Sequence, residues 1–179
     1  MACKKNTTNS SAAPTNQIAV PNGGFENWNT QLRPLNWYTN GCPLCQGAPF
    51  DEYVVRRDTQ NICSGSYSAQ FYYNWNFQAY AKNKFAIANH PTYLQAYVKD
   101  TMLSSADSVL IKVDVFYQKH HVDSGIWVGT SPIKTFTILN IPISQNTTHA
   151  DTVIITIRGQ CFGRPYSSSL WVDNVSLFK

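Results

Sequence analysis

Apolar and polar residues alternate at every second position in six separate segments, and this constrains the fold more than any other feature of the chain. "YSAQFYY" (67–73), "TYLQAYV" (92–98), "SVLIKVDVFYQ" (108–118), "KTFTILNIPI" (134–143), "DTVIITIRG" (151–159) and "SLWVDNVSL" (169–177) are rich in β-branched and aromatic residues. Successive side chains of a strand point to opposite faces, so each segment predicts a strand buried on one side. The gaps carry turn chemistry: "NGG", "SGS", "SSAD", "VDSG", "GTSP", "SQNTTHAD" and "FGRPYSSS". Shorter strands expected near 17–20, 24–28, 53–57 and 83–88 bring the total to eight to ten. With almost no helical period and no internal repeat, the expectation is an all-β antiparallel β-sandwich or barrel in one domain, 17–179.

Charged residues make up only 13% of the chain, about half the usual share, so Asn, Gln, Ser and Thr must carry much of the contact with water. The formal charge of +4 includes Lys4, Lys5 and Lys179 at the termini. The basic residues form no run or stripe, which argues against a nucleic-acid partner.

Residues 1–16 read as a flexible linker, too poor in apolar residues to bury anything. "MACKKNTTNSS" resembles the mature start of a bacterial lipoprotein, with Ala2 as the remnant of a lipobox. That resemblance implies lipidation at Cys3 and an exported protein anchored at the outer membrane or cell surface. No apolar run approaches the ~20 residues that span a bilayer, so contact with a membrane is expected only through the lipid. The other cysteines are Cys42 and Cys45, in "CPLC", Cys63 and Cys161. An even set in an exported chain favours two disulfides, with three pairings open. A four-cysteine zinc site is the alternative, although only one C-x2-C pair is present.

An opening "NGGFE", then "PLNW" (34–37), "SGSYSAQF" (64–71) and a closing "SLWVDNVSL" together resemble the jelly-roll carbohydrate-binding modules of the galactose-binding-like superfamily. The four anchors occur in order over residues 21–178. The resemblance implies adjacent first and last strands and a structural Ca2+ at their junction, with Glu26 and Asp173 as side-chain ligands and a carbonyl near Ser66 in the shell. Two carboxylates plus peptide carbonyls suit a hard cation that takes six to eight oxygens. The alternative is that both carboxylates only bond backbone groups. Phe25 and Trp37 match family positions that pack in the core.

No catalytic set stands out, and an enzyme is not expected. Glu26 and Asp173 lie in terminal strands rather than flanking a cleft, as a glycosidase pair would. There is no G-x-S-x-G nucleophile elbow. "KHHVDSG" (119–125) is the one histidine cluster; His120 and His121 are adjacent, so it reads as a solvated hairpin end. Binding is the better class. Sugar rings stack on aromatic side chains while their hydroxyls take amide partners, and "FYYNWNFQAYAKN" (71–83) interleaves both. Tyr73, Trp75, Phe77 and Tyr80, together with Trp127, are the candidate platform for a polysaccharide or oligosaccharide; the alternative for the same aromatics is core packing. At the level of the whole domain, the alternative is a monomeric envelope module that binds a partner protein and no sugar.

Overall fold

The computed structural model describes residues 16–30, 32–40, 54–74, 78–102, 107–160 and 167–179. Among these, eleven strands form: β1 (Gln17–Ile18), β2 (Tyr38–Thr39), β3 (Val55–Asp58), β4 (Ser68–Asn74), β5 (Ala79–Ala86), β6 (Tyr93–Asp100), β7 (Ser108–Tyr117), β8 (His120–Gly129), β9 (Thr137–Pro142), β10 (Thr152–Gln160) and β11 (Ser167–Phe178). They make an antiparallel β-sandwich. One sheet runs β3-β4-β11-β6-β9, with β1 also on β11; the other runs β2-β5-β10-β7-β8. The first strand pairs with the last, Gln17 opposite Phe178 and Ile18 opposite Leu177.

The alternating segments supply the core. Val109, Ile111, Val113 and Val115 of β7, Val153, Ile155 and Ile157 of β10, and Leu94, Ala96 and Val98 of β6 are all fully buried. Each large aliphatic chain withdrawn from water contributes about 1.5–3 kcal/mol against the ordering cost. In β11 the parity changes once. A register shift between Asp173 and Ser176, with Asn174 at φ 48, keeps Leu170, Val172, Val175 and Leu177 buried. Because Leu170 and Val172 face inward, Asp173 is turned to the outer side.

One local expectation fails. Residues 24–28 form no strand: Asn22 and Phe25 have φ of 51 and 53, and only a single bridge joins Trp28 to Pro34. Phe25 instead leaves the turn for the core, 5.0 Å from Trp37 between ring centroids. His120 and His121 are exposed at the β7–β8 hairpin end, as expected, and open a ten-residue strand, β8, paired with β7. The inward positions of β8 are Asp123, Gly125, Trp127 and Gly129, which carry no aliphatic alternation. Gly125 is required there, because a Cβ would lie 2.4 Å from the Pro142 carbonyl oxygen.

Candidate functional site

The outer face of the five-stranded sheet is built from the residues that alternate with the core. In β5, Ala79 and Ala81 point inward and are fully buried, which turns Tyr80, Lys82 and Lys84 outward. Tyr38 of β2 lies opposite Lys82, Lys82 opposite Thr156, and Thr156 opposite Lys112. The adjacent row reads Tyr80, Arg158, Leu110, Val128 across β5, β10, β7 and β8. Tyr38 is 70% exposed, and its ring meets Tyr80 edge-on at 6.4 Å and 73°. The Asn40 side chain holds the flanking chain, accepting from the Tyr80 amide at 2.7 Å and donating to the Gln78 carbonyl at 2.5 Å. A hollow of about 470 Å³ opens here between Asn40, Gln78, Tyr80, Lys112, Thr156 and Arg158. A second, of about 410 Å³, lies further along β10 between Lys84, Phe116, Gln118, Lys119 and Asp151. Aromatic rings, amides, a hydroxyl and cations thus share one open surface, the composition expected of a polar small-molecule site.

The outer face of the six-stranded sheet has aromatics too; Trp171 is covered, and Tyr72, Tyr93, Tyr97 and Phe178 are half-buried. Trp171 is 8% exposed; its indole donates to Asp58 Oδ2 at 2.6 Å, and Lys99 Nζ stands 5.1 Å from the ring. Tyr93 and Phe178 stack on each other at 4.8 Å, and the Arg56 guanidinium lies 4.9 Å over Tyr72.

Of the aromatics expected from the sequence to form one platform, Tyr80 lies on the open face. Tyr73 does not. It is fully buried and spans the two sheets, its ring so close to Gly159 that a Cβ there would lie 2.3 Å away. Its hydroxyl donates to Asp100 Oδ1 at 3.3 Å. Alternation places two side chains on a common face without saying which face is inside, and here the β4 aromatics at odd positions are core. Trp127 is also turned inward, opposite Ile111 and packed on the core. Trp75 and Phe77 lie outside the described residues. Tyr38, which sequence reasoning missed, sits in a strand of two residues without detectable period. A recoverable signal lay in β5, where small alanines alternate with Tyr and Lys: the large side chains there face out.

The structure brings Glu26 and Asp173 to the same turn. Asp173 Oδ2 accepts from the Cys63 and Ser64 amides at 3.0 and 2.9 Å, and Oδ1 from the Asn174 amide at 2.7 Å. Glu26 accepts from the Ser66 amide at 3.0 and 3.1 Å and from that of Tyr67 at 3.3 Å. Gly65, at φ 64, packs so tightly that a Cβ would lie 2.0 Å from Glu26 Oε1. Burial pushes the Asp173 carboxyl up to about 6, and the neighbouring Glu26 charge adds to the rise. Ser66 enters through its amide, as a donor to Glu26 rather than through a carbonyl. Asp173 Oδ2 and Glu26 Oε1 each already accept two amide hydrogens, so the lone pairs left to a hard cation are one on Asp173 Oδ1 and one on Glu26 Oε2. Cys63 is buried beside Asp173 and is not a free thiol; Cys42, Cys45 and Cys161, and also Cys3, lie outside the described residues.

Two further acidic groups lie inside the sandwich. Asp100 and Asp107 are each 1% exposed. Ser168 Oγ donates to Asp107 Oδ2 at 2.6 Å, while among the described residues Asp100 Oδ2 and Asp107 Oδ1 have no hydrogen-bond partner. Burial pushes Asp100 up to about 7, against the Tyr73 hydrogen bond that lowers it; the Asp107 charge also raises it. The histidine cluster is dispersed. His121 bonds Asp114 at 3.1 Å on the surface, and Asp123 is buried against His90 Nε2 at 2.9 Å and the Asn146 amide.

No known protein family and no curated protein matches the sequence. Solved structures do match in shape. The family 61 carbohydrate-binding module solved with β-1,4-galactotriose superposes with a TM-score of 0.53 at 15% identity, over 93% of this chain and 99% of that one. A structure from work on carbohydrate-binding modules of the β-sandwich superfamily gives 0.57 at 10% identity, over 87% of this chain and 60% of that one. The chain has the fold of the β-sandwich carbohydrate-binding modules. The fold also occurs inside enzymes: the chain covers 26% of an arabinose-bound family 51 α-L-arabinofuranosidase, with a TM-score of 0.56 at 12% identity over 91% of this chain.

Proposed function

We propose that this protein binds a glycan chain, without cleaving it, on the outer face of its five-stranded sheet. The observation that supports this is the exposed Tyr38 set edge-on against the half-buried Tyr80, which lines the 470 Å³ hollow. A sugar ring stacks on either tyrosine, and its hydroxyls reach Gln78, Thr156 and Arg158. Binding without cleavage is supported by where the described acids lie: on this face Asp114 is engaged by Lys112 and His121, and Asp151 by the Gln118 amide. Glu26 and Asp173 are occupied by backbone amides away from this face, and Asp100 and Asp107 are enclosed.

In the same reading, Glu26 and Asp173 hold Ca2+, which would tie the N-terminal turn and β11 to the 63–66 turn and relieve the repulsion between the two carboxylates. Lipidation at Cys3 would place the domain on the exterior of a bacterial cell, where polysaccharide is met. Isotherms on a panel of insoluble and soluble polysaccharides, run on the wild type and on Tyr80→Ala, test the binding function. Saturable binding lost in a folded Tyr80→Ala supports it. Failure to retain any polysaccharide overturns it in favour of a protein-binding envelope module.

A further inference from the structure

The cations on the open face are placed in a way that neutral sugar binding does not explain. Lys82 and Lys112 flank Thr156 in one row, their backbones about 10 Å apart by strand spacing. Arg158 lies two residues along β10 from Thr156, and Lys84 two residues along β5 from Lys82. Like charges gathered on one sheet face oppose folding unless they are compensated. Compensation is sparse here. Asp100, Asp107, Asp123 and Asp173 are buried, so they lie off this surface. Among the described residues, the acids on the face are Asp114, bonded to Lys112 at 2.8 Å and His121 at 3.1 Å, and Asp151, at the hairpin end and accepting from the Gln118 amide at 2.6 Å. Among the described residues Lys82, Lys84 and Arg158 have no carboxylate oxygen within 4.0 Å.

An extended polyanion would supply the missing charge. The hollows lie along β10, one beside Arg158 and Lys112 and the other beside Lys84 and Lys119. Thr156, which lines the first hollow, is four residues from Thr152 in the second, about 13 Å along the strand. A repeating chain lying along β10 would therefore present successive acidic groups to successive cations while its ring faces reach Tyr38 and Tyr80. Arg158 offers a planar fork matched to a carboxylate or a sulfate ester.

We infer that the glycan bound on this face is acidic, a uronate- or sulfate-bearing polysaccharide read by Arg158, Lys82 and Lys84. This rests on the proposal that the face binds glycan at all. The test is affinity electrophoresis with polygalacturonate, its fully methyl-esterified form, a sulfated galactan, a neutral β-1,4-galactan and a single-stranded polynucleotide, at low and at high salt. Polygalacturonate and its ester share a backbone and differ in charge. The expected result is retention by polygalacturonate or the sulfated galactan at least about tenfold stronger than by the uncharged glycans, weakening with salt, and lost in a folded Arg158→Ala/Lys82→Ala variant. Whichever of the two acidic polymers binds tells carboxylate from sulfate. Equal retention by the ester and the acid would overturn the inference and leave glycan binding standing. No retention by any polysaccharide would overturn both, as would tighter binding of the polynucleotide.

Discussion

The two outer faces of the sandwich differ in how their most prominent aromatic side chains, Trp171 and Tyr38, are engaged. On the six-stranded sheet, Trp171 is held by Asp58 and Lys99, Tyr72 lies under Arg56, and Tyr93 is closed by Phe178. On the five-stranded sheet, Phe116 meets His121 edge-on, whereas the exposed Tyr38 meets only the half-buried Tyr80 among the ring contacts of the described residues. Among those residues Lys82, Lys84 and Arg158 have no carboxylate within ion-pair distance. The covered rings serve stability, because their polar and cationic partners lie within the fold. The exposed Tyr38 costs little to remove from the fold and is available to a ligand. Aromatic content by itself, high on both faces, does not locate a site; what distinguishes Trp171 from Tyr38 is how far the ring is already enclosed.

The largest effect that could break this contrast comes from paired truncations. Trp171→Ala should cost about 3 kcal/mol, lowering Tm by roughly 6–12 °C with glycan binding intact. Tyr38→Ala should leave stability within about 0.5 kcal/mol while weakening binding at least about tenfold. Thermal melts and isotherms on the same two proteins check this. If Tyr38→Ala melts like Trp171→Ala, the five-stranded face is structural too.

Next in size is the junction behind the covered face. If Glu26 and Asp173 hold Ca2+ at about a hundred times its Kd, chelation removes ~2.7 kcal/mol, a fall in Tm of roughly 5–10 °C. Glu26→Gln should abolish the chelator effect. A melt insensitive to chelator would leave the amide bonds as the sole role of both carboxylates.

A smaller effect is pH dependence. The folded carboxyls of Asp173 and Asp100 are raised to about 6 and about 7, whereas the unfolded chain releases these protons near pH 4. The folded state therefore holds the extra protons between about pH 4 and 7. Stability falls as pH rises through that window and levels off above it. Asp100→Asn should flatten the upper part of the slope, and saturating Ca2+ the part due to Asp173; denaturant midpoints at stepped pH measure both. The smallest effect is Lys99→Ala, which loses the contact over Trp171 and a 2.6 Å bond to Asn61, about 1 kcal/mol with no change in binding.

The sandwich was legible in the sequence because its core strands alternate cleanly: β7 and β10 could face inward only through their valines and isoleucines. β8 was not, because its inner positions are Asp123, two glycines and one tryptophan, set by the close approach of Pro142 and by the His90 partner across the fold. Glu26 and Asp173 meet at the 63–67 turn because each accepts amide hydrogens from it, although Glu26 lies in no strand. The platform was only half legible. Tyr80 is outside and Tyr73 inside because β5 pairs small residues with the core while β4 fills it with Phe71 and Tyr73, a choice made between sheets rather than along a strand. Tyr38 and Arg158 join the site only through cross-strand register, which no local window contains.

The most direct test is backbone-amide chemical-shift mapping of the wild type titrated with trigalacturonate and with β-1,4-galactotriose. Glycan binding at the open face requires the saturable shifts to cluster on Tyr38, Tyr80, Lys82, Thr156 and Arg158, with β3, β4 and β6 unmoved. Shifts confined to Trp171, Tyr72 and their neighbours, or to the turn around Glu26, would contradict it.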